Sequence, residues 1–269
     1  LLGADVLRLD PPALPEPPWQ HLDTGMGKRS ALLDLASSRG AERFDQLLAT
    51  ADVVVTGYRP GALDRLGLDP AALAARRPGL VVARLSAWGS GGPLGGRRGF
   101  DSIVQAASGI ADRSGADGRP GALPAQALDH SAGYLLAAGI LSALTARAGE
   151  GGSWLVETSL ARIAQELLAA APGASVEPVP LEPTTLSRST RGGALRYAAP
   201  AIAGPGIPAD WTTVGDGWGD AEAAWRTTGD SAGVRTATAR RGSRSGAGSL
   251  PSLAAWHADD DAGTRPGGC

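Results

Sequence analysis

Residues 51–59 read ADVVVTGYR and residues 80–89 read LVVARLSAWG. Each run is short, apolar and rich in β-branched valine, without the alternation of a half-exposed strand. Continuous runs of this kind belong to strands buried on both faces of a parallel sheet. Between them lie a turn at Arg59-Pro60-Gly61 and two short helical stretches, residues 62–66 and 70–76. Toward the N-terminus, residues 4–9 predict a strand that stops at Asp10-Pro11-Pro12, followed by Pro-rich coil. Residues 31–35 (ALLDL) predict a second strand, and Ser38 is placed to cap a helix through Leu48, with Phe44, Leu47 and Leu48 on one face. Toward the C-terminus, residues 89–99 form a Gly-rich loop and residues 101–111 and 130–147 are helical. Residues 154–158 make a last strand before a helix at 159–170.

Strand–helix alternation with apolar strands predicts an α/β fold: a mainly parallel, Rossmann-like sheet flanked by helices over residues 1–170. Residues 171–227 are rich in Pro, Thr and Gly with little periodicity, and residues 228–269 have the composition of a disordered tail. The C-terminal region is therefore expected to be irregular or disordered. Ligands of parallel sheets bind at the carboxyl ends of the strands. This selects residues 10–29, 57–61 and 86–99 as the candidate face.

The composition excludes several functions. The 269 residues carry a net charge of −2, so no polybasic field invites nucleic acid or a membrane surface. A single cysteine, Cys269, excludes a disulfide framework, and His21, His130 and His257 are scattered, so no metal site is expected. The Asp259-Asp260-Asp261 run reads as solvated tail. The longest charge-free apolar run, residues 131–146, falls short of the ~20 residues that span a bilayer, and LLGADVLRLD lacks a signal-peptide pattern. A soluble, cytoplasmic protein is the expectation. There are 39 Gly and 20 Pro, Lys28 is the only lysine, and asparagine is absent. GC-rich coding is the plainer account of that bias, and specialised arginine chemistry the lesser reading.

Three motifs bear on chemistry. Gly25-Met26-Gly27-Lys28-Arg29-Ser30 fails as a Walker A loop, with Leu22 where a glycine is required and Arg29 where Ser or Thr is required. Two adjacent cations on a flexible loop still suit an anion, and an ordinary basic turn remains the alternative. The stretch GSGGPLGG at 89–96 fails as a dinucleotide fingerprint, because Leu94 stands at the third glycine position. A flexible loop or lid is the simpler reading. Asp129, in LDHSAGY at 128–134, opens the most apolar helix. It is either an N-cap or a carboxylate poised for nucleophilic or acid–base chemistry. His130 is not paired with it, because sequence neighbours do not face each other on a helix.

Taken in order, these segments resemble the class III CoA-transferases of the CaiB/BaiF type, the family of formyl-CoA transferase and carnitine CoA-transferase. The resemblance runs through GADVLRLDPP (3–12), GKRSALLDL (27–35), ADVVVTGYRPGALDRLG (51–67), LVVARLSAWG (80–89), GFDSIVQAASG (99–109) and LDHSAGY (128–134). It closes with the strand and helix around 152–168, and a weaker similarity covers residues 186–227.

The resemblance implies an enzyme that moves CoA from an acyl-CoA to a carboxylic acid, with Asp129 as the nucleophile that passes through an aspartyl-CoA thioester. No separate cofactor is implied, since the CoA thioester is itself the substrate. Lys28 and Arg29 fall in the family's N-K-R-S loop, Tyr58 and Arg59 in its N-F-R-P-G turn, Arg65 on the arginine that follows it, and Ser86 in the loop beside pantetheine. These residues are the expected CoA contacts. An interlocked homodimer is implied, or a complementing subunit. Departures are present: Gly57 replaces the asparagine before the aromatic and Gly27 the one before the lysine. The family's opening strand and A-G-P loop would precede residue 1, and its small second domain is not evident. A truncated, half-length or divergent member is thus expected, with a non-catalytic CoA-binding or assembly subunit as the alternative. The related α-methylacyl-CoA racemases need a histidine base where this chain has Phe100, which disfavours racemisation.

Overall fold

The computed structural model describes residues 1–170 and 184–226. In chain order the elements are β1 (Leu7–Asp10), α1 (Pro18–Thr24), β2 (Arg29–Leu32), α2 (Ser38–Leu48), β3 (Val53–Thr56), a 3-10 turn (Asp64–Leu66), α3 (Pro70–Arg76) and β4 (Val81–Ser86). They continue with α4 (Asp101–Ser108), α5 (Ile110–Arg113), α6 (Ala127–Glu150), β5 (Trp154–Ser159), α7 (Leu160–Ala169), β6 (Thr185–Thr190) and β7 (Gly193–Ala198). The described residues divide into two units, residues 1–47 with 184–226 and residues 48–170. The architecture is α/β with parallel strands flanked by helices.

In the first unit β1 and β2 pair in parallel, Leu7 opposite Arg29 and Asp10 opposite Leu32. That register places β2 two residues before the apolar run 31–35 from which a strand is predicted, because pairing with β1 decides which residues are strand. The Pro-rich segment expected as coil holds α1, which starts with Pro18 in its first turn, where the missing N–H costs nothing. Helix α2 matches its predicted span, but its cap is Ser37, whose Oγ accepts the Gly40 N–H at 3.0 Å, rather than Ser38. Within the weakly periodic stretch 171–227, β6 and β7 form an antiparallel hairpin across Arg191-Gly192. Residues 199–226 contain no helix or strand and are anchored by specific bonds. Arg29 donates to the Ala224 carbonyl at 2.7 Å, Arg43 to that of Ala223 at 2.6 Å, and the Ala221 N–H to the Ser30 carbonyl at 2.8 Å. The tail expected at 228–269 lies outside the described residues.

In the second unit β3, β4 and β5 form a parallel sheet with β4 in the centre. Val81 and Ala83 of β4 are fully buried, as the continuous valine run requires. Helix α3 starts where Asp69 accepts the Ala72 N–H at 3.0 Å and Pro70 occupies the first turn. The helix predicted over 101–111 is interrupted at Gly109, whose φ of +92° lies in the left-handed region that glycine enters at least cost. Helix α6 is longer than the predicted 130–147 and packs against α4, β4, β5 and α7. Its middle and end join Trp154, Val156 and Val81 in one core cluster through Leu136 and Ala143. Its first turns join Leu160, Ile163 and Val104 in another through Leu128 and Ala132. Gly139 lets α6 close on β5: a Cβ built there would lie 2.6 Å from Val156 Cγ1. The helix has 24 residues and a mean hydropathy of 1.2 over its most apolar stretch, so by length and composition it could cross a bilayer. The charge-free run 131–146 alone is too short for that. Here α6 lies along a sheet, with Tyr134, Leu135 and Leu141 exposed.

Candidate active site

The second unit gathers several of the expected residues at one end of its sheet. Strand β4 delivers Ser86 at its carboxyl end, beside Ser159 of β5 in the pairing register. The first turns of α6 share a core cluster with Leu85, Ala87 and Trp88, the residues around that strand end. Asp129 therefore stands at the carboxyl edge of the parallel strands, where such sheets hold ligands.

Asp129 is the third residue of α6 and is not its cap. The residue before the helix, Gln126, makes no side-chain cap bond. The capping carboxylate comes from α4: Asp101 Oδ2 accepts the backbone N–H groups of Leu128 at 2.8 Å and Asp129 at 3.0 Å. Asp101 is only 2% exposed. Its other oxygen accepts from Gln105 Nε2, and Gln105 Oε1 in turn accepts the Leu123 N–H at 3.0 Å. The N-terminal donors of α6 are thus already engaged by a neighbouring carboxylate.

The Asp129 side chain accepts no hydrogen bond among the described residues. Its pKa is raised above the ordinary aspartate value, first by partial burial and then by the negative charge of Asp101, with His130 acting in the opposite direction. Because the residue as a whole is exposed, solvent screening limits the shift. A helix N-terminus on its own favours the ionised form. Asp101 takes up much of that effect, so Asp129 is left more basic than a surface aspartate. A basic, unengaged carboxylate is suited to nucleophilic attack on an acyl carbon.

Tyr58 and Arg59, at the carboxyl end of β3, line a shallow, solvent-open groove together with Thr56, Asp64, Asp69 and Arg84. Both side chains are exposed. A ring and a guanidinium so placed suit a stacked base and a phosphate. Arg84 is engaged by Glu157 across the β4–β5 pair at 2.6 Å. Arg65 lies on the exposed 3-10 turn and is not part of that lining. Ser86 is buried, and its Oγ accepts the Gly89 N–H at 3.0 Å, closing the turn after β4.

Lys28 and Arg29 belong to the first unit. The Lys28 ammonium donates to the carbonyl of Thr24, the last residue of α1, at 2.7 Å. Burial of the ammonium and the positive charge of Arg8 hold its pKa below the ordinary lysine value. The residue remains exposed as a whole, so solvent screening limits that effect. Arg29 is turned inward, with bonds of 2.8–3.2 Å to both Asp5 oxygens and one to Ala224. Its fork serves the unit's own fold and has little left for a ligand.

Sequence reading missed Asp101 and Gln105. The signal was present in GFDSIVQ, an acidic residue and an amide one helical turn apart, but their partners lie 18 to 28 residues further on. No group of three or more His, Cys, Asp or Glu suited to a metal occurs among the described residues. Phe100, where the racemases have their base, is 72% exposed and its phenyl ring takes no proton.

The family model for CoA-transferase family III matches residues 2–195. A probable fatty acyl-CoA transferase of Mycobacterium tuberculosis is 35% identical over 182 residues, covering 62% of this chain and 46% of that protein. The alpha subunit of a succinyl-CoA–L-malate CoA-transferase from Chloroflexus aurantiacus is 30% identical over 173 residues, covering 59% of this chain and 40% of that one. The crystal structure of a CaiB/BaiF family protein from Brucella suis superimposes with a TM-score of 0.58 at 28% identity, covering 72% of this chain and 58% of its own. The chain spans about half the length of the curated relatives it matches.

Proposed function

The chain belongs to CoA-transferase family III, and from that premise we propose that it moves CoA from an acyl-CoA to a carboxylic acid with Asp129 as the nucleophile. The observation that carries the proposal is the state of the Asp129 carboxylate: raised in pKa, free of internal hydrogen bonds, and set at the carboxyl edge of the sheet. Attack by its oxygen on the thioester carbon breaks the C–S bond, giving a mixed anhydride and CoA thiolate. The thiolate then attacks the Asp129 acyl carbon, releasing the donor acid and leaving an aspartyl-CoA thioester. An incoming carboxylate attacks that carbon in turn, and the displaced thiolate takes the new acyl group from the resulting anhydride. The cycle restores Asp129 as a carboxylate. No metal or separate cofactor is called for, because the thioester already carries the activated carbonyl.

In the second unit CoA recognition rests on Tyr58 for the base, on Arg59 and Arg65 for phosphate charge, and on the Ser86 turn for the pantetheine side; in the first unit Lys28 is the residue that the family resemblance assigns to the nucleotide end. Arg29 has the weaker case, given its engagement with Asp5. We place the enzyme in the cytoplasm, where a chain with one cysteine needs no disulfide, and we expect it to work as an interlocked homodimer or with a complementing subunit. Racemisation lacks its base at Phe100.

The test is acyl-CoA incubation followed by hydroxylamine, with mass mapping of the modified peptide. A hydroxamate on Asp129, and loss of transfer by about 10³-fold or more in Asp129→Asn, are the expected results. Full transfer by Asp129→Asn refutes the assignment. A second reading, a CoA-binding or assembly subunit without turnover of its own, is favoured by the exposed Tyr58 and Arg59, which suit binding alone. It is distinguished by CoA binding without hydroxamate formation until a partner chain is added.

A further inference from the structure

We propose that Asp101 is a positioning residue for the reaction, fixing the first turn of α6 so that the Asp129 carboxylate is presented outward beside a second, buried negative charge. The inference rests on the reading of Asp129 as nucleophile and concerns a residue of another helix, 28 positions earlier. Its basis is geometric. One Asp101 oxygen accepts two successive backbone N–H groups, those of Leu128 and Asp129, at 2.8 and 3.0 Å. The other oxygen is bound by Gln105, which is anchored through the Leu123 N–H. Asp101 and Gln105 are 2% and 5% exposed, respectively. A buried carboxylate is retained only when its oxygens are satisfied, and here the acceptors satisfy the end of the helix that carries the nucleophile.

The arrangement has two consequences for Asp129. Were Asp101 absent, the N–H groups at 128 and 129 would be free, and the Asp129 carboxylate, which can bond its own backbone N–H, is the nearest acceptor. It would fold back as a local cap and lose its reach. With Asp101 present those donors are taken, and the charge of Asp101 makes ionised Asp129 more basic. Of the charged groups on elements packed against α6, Arg84 is paired with Glu157 and Arg162 with Glu166. Asp101 and His130 are the charges that act on Asp129.

The experiment uses the intact protein labelled with 13C at aspartate carboxyl carbons. The resonance missing from Asp129→Asn identifies Asp129, and its titration is compared between wild type and Asp101→Asn. Without the neighbouring charge the Asp129 midpoint should fall by about 0.5–1 pH unit, and the amide protons at 128 and 129 should exchange about tenfold faster. With acetyl-CoA as donor, the hydroxylamine-trapped rate should fall about five- to fiftyfold, and its acid limb should move to lower pH with the NMR midpoint. The double variant Asp101→Asn, Gln105→Glu restores a donor–acceptor pair at this contact and returns a negative charge beside it. It serves where the single variant does not fold: trapping rate and Asp129 midpoint should lie within a few fold and a few tenths of a pH unit, roughly, of wild type, and a folded double variant as slow as Asp129→Asn overturns the inference. An unchanged Asp129 midpoint, amide exchange and trapping rate in folded Asp101→Asn overturn it as well. If Asp129→Asn itself retains trapping, the nucleophile reading falls first. If only Asp101→Asn is silent, the nucleophile stands and the positioning role falls.

Discussion

Gly139 and Val156 set how closely α6 approaches β5, and a double-mutant cycle between them has a calculable outcome. A Cβ at 139 would meet Val156 Cγ1 at 2.6 Å, about 1 Å inside a comfortable carbon–carbon contact. Val156 is β-branched, 8% exposed and held by the β4–β5 ladder opposite Ala83, so it yields little. Overpacking of this size costs about 1–3 kcal/mol, while Gly→Ala in a helix interior returns about 1 kcal/mol. Gly139→Ala should therefore destabilise by about 1 kcal/mol net, within a range of about 0–2. Val156→Ala alone removes two methyl groups from the core and should cost about 2–3 kcal/mol. In the Gly139→Ala background the same truncation relieves the clash, and the new methyl group fills part of the vacated space. The second substitution should then cost about 1–2 kcal/mol less than it does alone. Urea unfolding followed by far-UV circular dichroism measures all four corners. Additivity within about 0.5 kcal/mol, or a Gly139→Ala variant stabilised by its full propensity gain, refutes this account of the packing.

The raised pKa of Asp129 carries a linkage prediction: a carboxyl whose folded pKa exceeds its unfolded value of 3.8 costs stability once ionised. Asp129→Asn should raise the urea midpoint at neutral pH, and that advantage should vanish as pH falls through the folded value to below 3.8. An advantage independent of pH contradicts the electrostatic cause. Asp69→Ala removes the cap of α3 and should cost about 1 kcal/mol in urea unfolding; a loss below a few tenths would show the cap to be idle. Arg59→Ala should weaken CoA binding in isothermal calorimetry by about tenfold at low salt and less at high salt, and a salt-independent loss would point to packing instead of phosphate pairing.

The second unit is the more legible part of the sequence, for identifiable reasons. Val53–Thr56 and Pro70–Arg76 carry their signals locally, as a β-branched run and as an Asp-Pro cap. β2 is displaced because apolarity marks residues 31–35 while pairing with β1 selects Arg29–Leu32. α1 is hidden among prolines that read as coil, although Pro18 at its first position is itself a start signal. The β6–β7 hairpin sits in polar sequence where one face alternates only weakly, at Leu186, Arg188 and Thr190. For the site, the position of Asp129 at a helix start is readable, but its freedom is not. That freedom comes from Asp101, and no local pattern records a bond across 28 residues. The inward turn of Arg29 toward Asp5 and residue 224 is likewise set by partners 24 and 195 positions away.

The first unit draws on both ends of the described chain: Ser30, Arg29 and Arg43 are bound to residues 219–226. During synthesis on the ribosome residues 1–47 emerge well before those partners exist, whereas residues 48–170 are contiguous. The β3–β4–β5 sheet with α6 can thus be completed while the N-terminal strands still wait for their closing segment. Any folding helper that acts on this protein co-translationally would meet the β1–β2 pair without its closing segment, with Arg29 and Arg43 still lacking their backbone acceptors.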